Sequence, residues 1–189
     1  MRRLTVIVSV FVVLAGLFTH GGLITNTAAQ DLAEHPIVGA WLLMNPGDPP
    51  TPSPLIFSAD GTFSATGVPS YVDPQGGVIF GSSTMGVWEP TGERSVHLTY
   101  VQALSDLNGT YLGTFTLDAY PEVSDDGQSF LDDGSQVHFT FRDATNTIVQ
   151  EAGGGGGAEA ATPQVHARRM QVGNPGFPEG MPAASTPTG

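Results

Sequence analysis

Between positions 37 and 150 the chain alternates short apolar runs with clusters of turn-forming residues. The run VHFTFR at 137–142 shows the pattern most clearly, because apolar side chains occupy every second position. Such a period of two places apolar side chains on one face of a β-strand and polar ones on the other. We identify no amphipathic helix of ten residues in this region. The pattern therefore predicts eight or nine short strands and an all-β fold.

Tight turns separate consecutive strands. Asp60-Gly61 and Asn108-Gly109 each lie between two strand-like runs, and such dipeptides favour hairpins because glycine accepts a positive φ without steric cost. Two Asp-Asp-Gly triplets, at 125–127 and 132–134, indicate further turns. Because closure removes the exposed edges of a long meander, we expect an antiparallel up-and-down meander closed into a barrel of about eight strands. A two-sheet sandwich is the alternative.

The N-terminus has the pattern of a leader for export. Arg2 and Arg3 precede an apolar run at 4–18, and small residues follow at 27–29. This arrangement predicts that 1–29 is a signal peptide and that the protein is secreted or held in the cell envelope. The apolar run is shorter than the roughly 20 residues of a membrane-spanning helix. A retained N-terminal anchor is the alternative.

The rest of the chain divides by composition. We expect a β-barrel domain at 30–152, followed by a flexible Gly/Ala-rich insertion at 153–163. The segment 164–173 is predicted to close the barrel as its last strand. Residues 174–189 are mainly Pro, Gly, Ala, Ser and Thr, which bury too little apolar surface to order themselves, so a disordered tail is predicted there.

The chain is strongly acidic. Six Arg and no Lys stand against 18 Asp and Glu, a formal charge of −12, and removal of 1–29 would leave four Arg and a charge of −14. Nucleic-acid binding needs clustered positive charge, so this balance argues against nucleic acid as a partner and equally against an anionic membrane surface. Cys is absent, which excludes disulfides, thiolate metal sites and cysteine nucleophiles.

The motif Gly39-Ala40-Trp41 in the first predicted strand is the most specific feature of the chain. It resembles the Gly-x-Trp signature that opens the lipocalins and the wider calycin barrels, including bacterial exported types. In that family the Trp closes one end of the barrel and an Arg of the last strand packs across it. The resemblance implies a barrel plug of Gly39, Trp41 and Arg169, with Arg168 as the alternative Arg. The family's Thr-Asp-Tyr type motif and its disulfides are missing here, and a plain core aromatic is the other interpretation of Trp41.

The resemblance further implies a cup that holds one small apolar molecule. An eight-stranded barrel has an interior that is either filled by side chains or wide enough for one ligand. Aromatic residues of the predicted strands are the candidates for the barrel interior and for ligand contact. They are Phe57, Phe63, Trp88, Tyr100, Phe115, Phe139 and Phe141, together with Phe80. The alternative is that these rings fill a solid core.

Other candidate chemistry has less support. His97 and His138 lie mid-strand and could be neighbours, but no third metal ligand is identifiable, so we expect both to face solvent. The acidic turns lack the EF-hand spacing for calcium, and there is no Gly-x-Ser-x-Gly nucleophile elbow. We therefore expect no catalytic residue, no metal and no cofactor.

Together these features predict a monomeric, non-catalytic, exported lipocalin-like protein that binds or carries a small apolar molecule. Two other classes stay open. One is a β-barrel scaffold for extracellular protein or surface interaction, which would show a large exposed apolar patch. The other is a cyclase- or isomerase-type calycin enzyme, which would need polar side chains such as His97 or Tyr100 converging inside the cup.

Overall fold

The computed structural model describes residues 32–46, 50–72, 76–153 and 164–178. These ranges form thirteen β-strands, and helical geometry within them is confined to one turn at 32–34. None of these ranges contains a helix with the length and apolar character that a membrane crossing needs. The strands are β1 (Gly39–Asn45), β2 (Thr51–Phe57), β3 (Thr62–Ala65), β4 (Ser70–Val72), β5 (Val78–Gly81), β6 (Thr84–Pro90), β7 (Val96–Ser105), β8 (Tyr111–Ala119), β9 (Glu122–Val123), β10 (Ser129–Asp132), β11 (His138–Asp143), β12 (Ile148–Gly153) and β13 (Val165–Arg169).

The strands form one antiparallel sheet that curls into a half-barrel. Eleven of them follow the order β12-β11-β8-β7-β6-β3-β2-β1-β13-β10-β9, and the β4–β5 hairpin attaches to β7 through β5. The all-β class and the antiparallel pairing are confirmed. The number of strands exceeds the predicted eight or so. Part of the excess comes from two very short strands, β4 with three residues and β9 with two, each paired with one neighbouring strand.

β2 begins inside the proline-rich segment 45–54, whose composition predicts a loop. It nevertheless pairs with β1 along its whole length. The carbonyl oxygen of Pro54 accepts a hydrogen bond from the N–H of Thr66 at 3.0 Å, so Pro54 faces β3 rather than β1. In an antiparallel strand the N and O of one residue face the same neighbour, so the absent proline N–H removes no bond to β1. This placement explains why the loop prediction is wrong there.

At one end of the sheet, the backbone around β9 lies next to the start of β7. β9 follows β8, and the backbone around β9 bonds to the start of β7. The N–H of Val123 donates to the carbonyl of Arg94 at 2.9 Å, and that of Val96 donates to Pro121 at 3.1 Å. Val96 and Val123 are both buried. On the other side β11 and β12 extend the sheet past β8.

The most deeply buried side chains gather in one cluster. The largest of them belong to Trp41, Phe57, Ile37, Val96 and Val123. Three come from β1, β2 and the segment before β1, and two come from β7 and β9, which are distant from them in sequence. Burial of a side chain of this size stabilises the fold by about 1.5–3 kcal/mol, so this cluster holds together parts of the sheet that sequence separation would otherwise leave apart.

The hairpin turns predicted from the Asp-Gly and Asn-Gly dipeptides are confirmed. Gly61 has φ of +84° and Gly109 has φ of +77°. The N–H of Gly61 donates to the carbonyl of Ser58 at 3.1 Å, and that of Gly109 donates to Asp106 at 3.0 Å. Glycine is required at both positions because other residues are strained at such φ values.

The predicted signal peptide at 1–29 lies outside the described residues. So do positions 154–163 of the predicted insertion and positions 179–189 of the predicted tail. The closing strand predicted at 164–173 contains β13, which pairs with both β1 and β10. Asn174, where the predicted tail begins, is held in a turn that follows β13.

Turn aspartates are bonded to the residues that follow them. The hydroxyl of Thr62 at 2.7 Å, and then its backbone N–H at 2.9 Å, lower the pKa of Asp60. The hydroxyl of Thr145 at 2.7 Å, and then the N–H of Thr147 at 3.0 Å, lower the pKa of Asp143. These hydrogen bonds favour the charged carboxylate over the neutral acid.

We expect the protein to lose stability in acid. The pKa of these carboxyls is lower in the folded chain than the ordinary 3.8, so their contribution is present above about pH 4 and is lost as the pH falls through the folded-state pKa. The double variant Asp60→Asn, Asp143→Asn keeps an acceptor oxygen at each turn but cannot titrate. Urea denaturation at neutral and at acid pH should therefore show that acid lowers the free energy of unfolding less in the variant than in the wild type. Equal losses would contradict the role of these turns.

Candidate functional site

Trp41 lies within the buried cluster. It is fully buried, and its Nε1–H donates to the carbonyl oxygen of Ile37 at 2.7 Å, so the indole leaves no unpaired donor. Phe130 of β10 packs edge-on against it, with ring centroids 5.1 Å apart. The register of β1 with β13 places Trp41 opposite Arg169. Residues directly opposite each other in an antiparallel pair share a face of the sheet, so the two side chains meet.

Arg169 contacts both the indole and the backbone. Its guanidinium lies over the Trp41 ring, 4.1 Å from the centroid. Nε donates to the carbonyl of Gly127 at 2.7 Å, Nη1 donates to Val38 at 2.9 Å, and Nη2 donates to Pro36. Desolvation lowers the pKa of Arg169, but a guanidinium remains charged in proteins. One side chain thus joins β13 to the segment before β1 and to the turn before β10.

Gly39 belongs to the same unit. Its φ of +137° lies where a residue with a side chain is strained, and a Cβ at this position would lie 2.7 Å from Nη1 of Arg169. The Gly-x-Trp spacing thus makes room for the guanidinium that covers the Trp. Arg168 points to the opposite face and is exposed. Of the two candidate arginines, Arg169 is the one that packs across Trp41.

A cavity of about 560 Å³ adjoins this cluster. Phe130, which contacts Trp41, also lines the cavity. The volume falls within the range of about 300–1,000 Å³ that is typical of small-molecule sites. Most of the wall near the core is apolar. The apolar side chains there include Leu43, Leu55, Leu98, Leu117, Phe130 and Val137.

Three of the aromatics predicted to face the interior line this cavity, namely Phe57, Phe63 and Tyr100. Trp88 is buried but is not part of the cavity wall, and its Nε1–H donates to the carbonyl of Ser58 at 3.0 Å. Phe80 is 36% exposed, so its placement inside is wrong. It lies on the short strand β5 at the side of the sheet.

The other three predicted aromatics lie on β8 and β11 beyond the cavity. Phe115 contacts Phe141 at 4.8 Å and Phe139 at 6.1 Å between ring centroids. Phe115 also contacts Tyr100 at 6.0 Å. All three rings are half-buried, and none of them forms part of the cavity wall. They continue the aromatic face of the sheet from the cavity toward β12.

Sequence reasoning missed part of the cavity wall. Phe130 and Asp132 are both buried on one face of β10 and both line the cavity. The Asp-Asp-Gly triplet at 132–134 assigns Asp132 to a turn. The period-two relation between Phe130 and Asp132 is the signal that could have placed the carboxylate inside.

Two polar side chains on the wall have distinct environments. The Oδ2 of Asp132 accepts a bond from the N–H of Tyr120 at 2.7 Å, and its Oδ1 accepts one from Gly134 at 2.8 Å. The ring of Tyr100 stacks on Phe63 with centroids 5.9 Å apart. Burial raises the pKa of Tyr100 to about 12, so its hydroxyl keeps its proton at neutral pH.

His97 and His138 are neighbours, as the sequence suggested, through one shared carboxylate. Nε2 of His97 lies 3.2 Å from Oδ1 of Asp118, and Nδ1 of His138 lies 4.0 Å from Oδ2. Nε2 of His138 is also 3.0 Å from Glu151. His97 alternates with buried Leu98, so this network lies on the outer face, away from the cavity. The described ranges hold no group of three or more His, Cys, Asp or Glu placed to bind a metal ion.

No protein-family model matches the chain, and no curated protein matches it either. The half-barrel is compatible with a calycin-like fold. The lipocalin resemblance therefore depends on the geometry of Gly39, Trp41 and Arg169.

We expect Arg169→Lys to destabilise the fold by about 2–4 kcal/mol, because an ammonium cannot replace three directed N–H donors and a planar stacking group. The matched control is Arg168→Lys, the same change one residue earlier on the exposed face, which should alter stability by less than about 0.5 kcal/mol. Urea denaturation measures both. Similar effects at the two positions would contradict the plug.

Proposed function

We propose that the protein is an exported lipocalin-like barrel that binds or carries one small apolar molecule and has no catalytic activity. The observation that carries this proposal is the cavity of about 560 Å³ with its apolar wall. A ligand that fills this recess would remove the apolar wall from water, which favours binding. A retained cavity of this size fits a molecule that occupies it.

The closed barrel of the proposal has eight strands in the order β1-β2-β3-β6-β7-β9-β10-β13. All neighbours in this ring are paired in the sheet except β7 and β9. The proposed closure between these two is supported by the isolated bridge between Ser95, just before β7, and Glu122 of β9. The stack of Arg169 on Trp41 seals one end. A ligand would then enter from the opposite end, past Ser70 and the β4–β5 hairpin.

Export is part of the same proposal. The cationic start, the apolar run and the small residues of 1–29 support it. A cavity that shields an apolar molecule from water suits an extracellular or envelope carrier, since such a molecule dissolves poorly on its own.

The described wall favours a carrier over an enzyme. Its ionisable side chains are Asp132, Tyr71 and Tyr100. Both oxygens of Asp132 are engaged by backbone N–H groups, which fixes the carboxylate in one place. His97, a candidate for acid–base chemistry, lies on the outer face. Acid–base catalysis needs groups that converge on a substrate, and these residues do not supply such a set.

A scaffold for protein interaction is the second candidate, and one observation favours it. Ile56, Met85, Val87 and Val101 are 44–60% exposed on the outer face. The strand registers place three of them in one row across the sheet, with Ser64 between Ile56 and Met85. Because this row is narrow and interrupted by a polar residue, it supports an interaction surface less strongly than the cavity supports a ligand.

The cavity proposal predicts that Ala65→Trp blocks binding. Ala65 lines the cavity, so the indole would occupy the ligand's space. The probe is N-phenyl-1-naphthylamine, an uncharged dye whose fluorescence rises in apolar surroundings. The wild type should bind it, and Ala65→Trp should weaken binding by about tenfold or more.

The matched control is Ser64→Trp, which adds the same side chain to the adjacent position on the outer face. It should bind the dye as the wild type does. Urea denaturation confirms that both variants are folded. No dye binding by the wild type, or equal binding by both variants, would contradict the proposed site.

A further inference from the structure

We infer that the cavity selects an uncharged apolar molecule that carries a hydroxyl, ester or carbonyl oxygen, and that it excludes anionic lipids such as fatty-acid carboxylates. This inference rests on the proposed function and specifies the ligand of the same site. It follows from the charges and the hydrogen-bond donors of the wall.

The described wall contains no basic side chain. The chain has no Lys, and the four arginines of the described ranges are engaged or exposed elsewhere. Arg94 pairs with Glu122, Arg142 donates to the carbonyl of Asn146, Arg168 is exposed and Arg169 forms the plug. A ligand carboxylate would therefore lose its water without gaining a positive partner, which is strongly unfavourable.

Asp132 adds repulsion to this desolvation. Its side chain is on the wall and only 3% exposed. The backbone N–H groups of Tyr120 and Gly134 donate to its two carboxyl oxygens. Because charges interact more strongly in an apolar interior than in water, a second carboxylate in the same cavity would be disfavoured.

Tyr100 supplies a donor for a neutral ligand. Its hydroxyl has no hydrogen-bond partner among the described residues. Every buried side-chain oxygen or nitrogen in these ranges does have a partner. The hydroxyl is therefore not sealed in the core, and the space beside the residue is the cavity it lines. The high pKa keeps the proton on the oxygen, so the hydroxyl can donate to an oxygen of the ligand.

The two amides of the wall are already engaged. Nδ2 of Asn45 donates to Ser53 at 2.7 Å and to the carbonyl of Thr51 at 3.2 Å, and Nε2 of Gln102 donates to Ser82 at 2.7 Å. These bonds hold the wall in shape. Of the two tyrosines on the wall, Tyr71 is 40% exposed, whereas Tyr100 is half-buried with its ring on Phe63, so Tyr100 is the donor placed to orient a neutral molecule.

The test compares two ligands that differ in charge. Dodecanoate and its methyl ester have the same twelve-carbon chain, and each is titrated against the full chain carrying N-phenyl-1-naphthylamine at neutral pH, below the micelle concentration. We expect the ester to displace the dye with an affinity about tenfold or more above that of the carboxylate. Equal or tighter binding of dodecanoate would overturn the inference while leaving the cavity function intact. Failure of the dye itself to bind would overturn both.

A second measurement tests Tyr100 directly. Tyr100→Phe keeps the ring stack on Phe63 and removes the hydroxyl, so ester affinity should fall by about three- to tenfold. Tyr111→Phe removes a hydroxyl at a position 49% exposed and outside the cavity wall, and should leave ester affinity unchanged. Unchanged ester affinity in Tyr100→Phe would overturn the role of this donor.

Discussion

The stack of Arg169 on Trp41 is the interaction on which the rest of the structure depends. Arg169 is the last residue of β13, and its three donors reach carbonyls that lie up to 133 residues away in sequence. β13 is also the strand that joins β10 to β1. Without β13, β10 would keep β9 as its only strand partner in the described sheet. The cavity wall formed by Phe130 and Asp132 would then lose its position.

The cavity exists because side-chain volume changes along the half-barrel. Large rings fill the region around the plug, where Trp41 contacts Phe130 and Phe130 contacts Phe57. Small residues such as Ala65 and Ala119 line the adjoining space and leave it open. The sequence does not decide between a solid core and a cup. The outcome depends on which strands curl toward each other. The large aromatics seal one region, and the small residues define another.

The local patterns were sufficient to predict much of the fold. Asp60-Gly61 and Asn108-Gly109 predict their turns because positive φ is a property of the residue itself. Alternation also places Phe139 and Phe141 on one face correctly, but a period of two cannot tell whether that part of the sheet bounds the cavity or extends past it. The choice of Arg169 over Arg168 needed the register with β1, which comes from long-range pairing.

The assignment of Asp132 shows the same limit at the site. Its Asp-Asp-Gly context is typical of a turn, and a turn does follow it, yet its carboxylate faces the cavity because β10 extends one residue further. The polarity of the cavity wall therefore depends on a strand boundary that local sequence does not determine. Tyr100 is the opposite case, since its place on the apolar face of β7 follows directly from alternation.

The most direct test of the account is native mass spectrometry of the protein purified from the cells that produce it. The account predicts a discrete added mass that is lost on denaturation and is recovered in an organic extract as an uncharged, oxygen-containing apolar molecule. A bare polypeptide mass that stays unchanged when a neutral lipid ester is added in excess would contradict it. Such a result would mean that the space beside Trp41 and Phe130 does not hold a ligand.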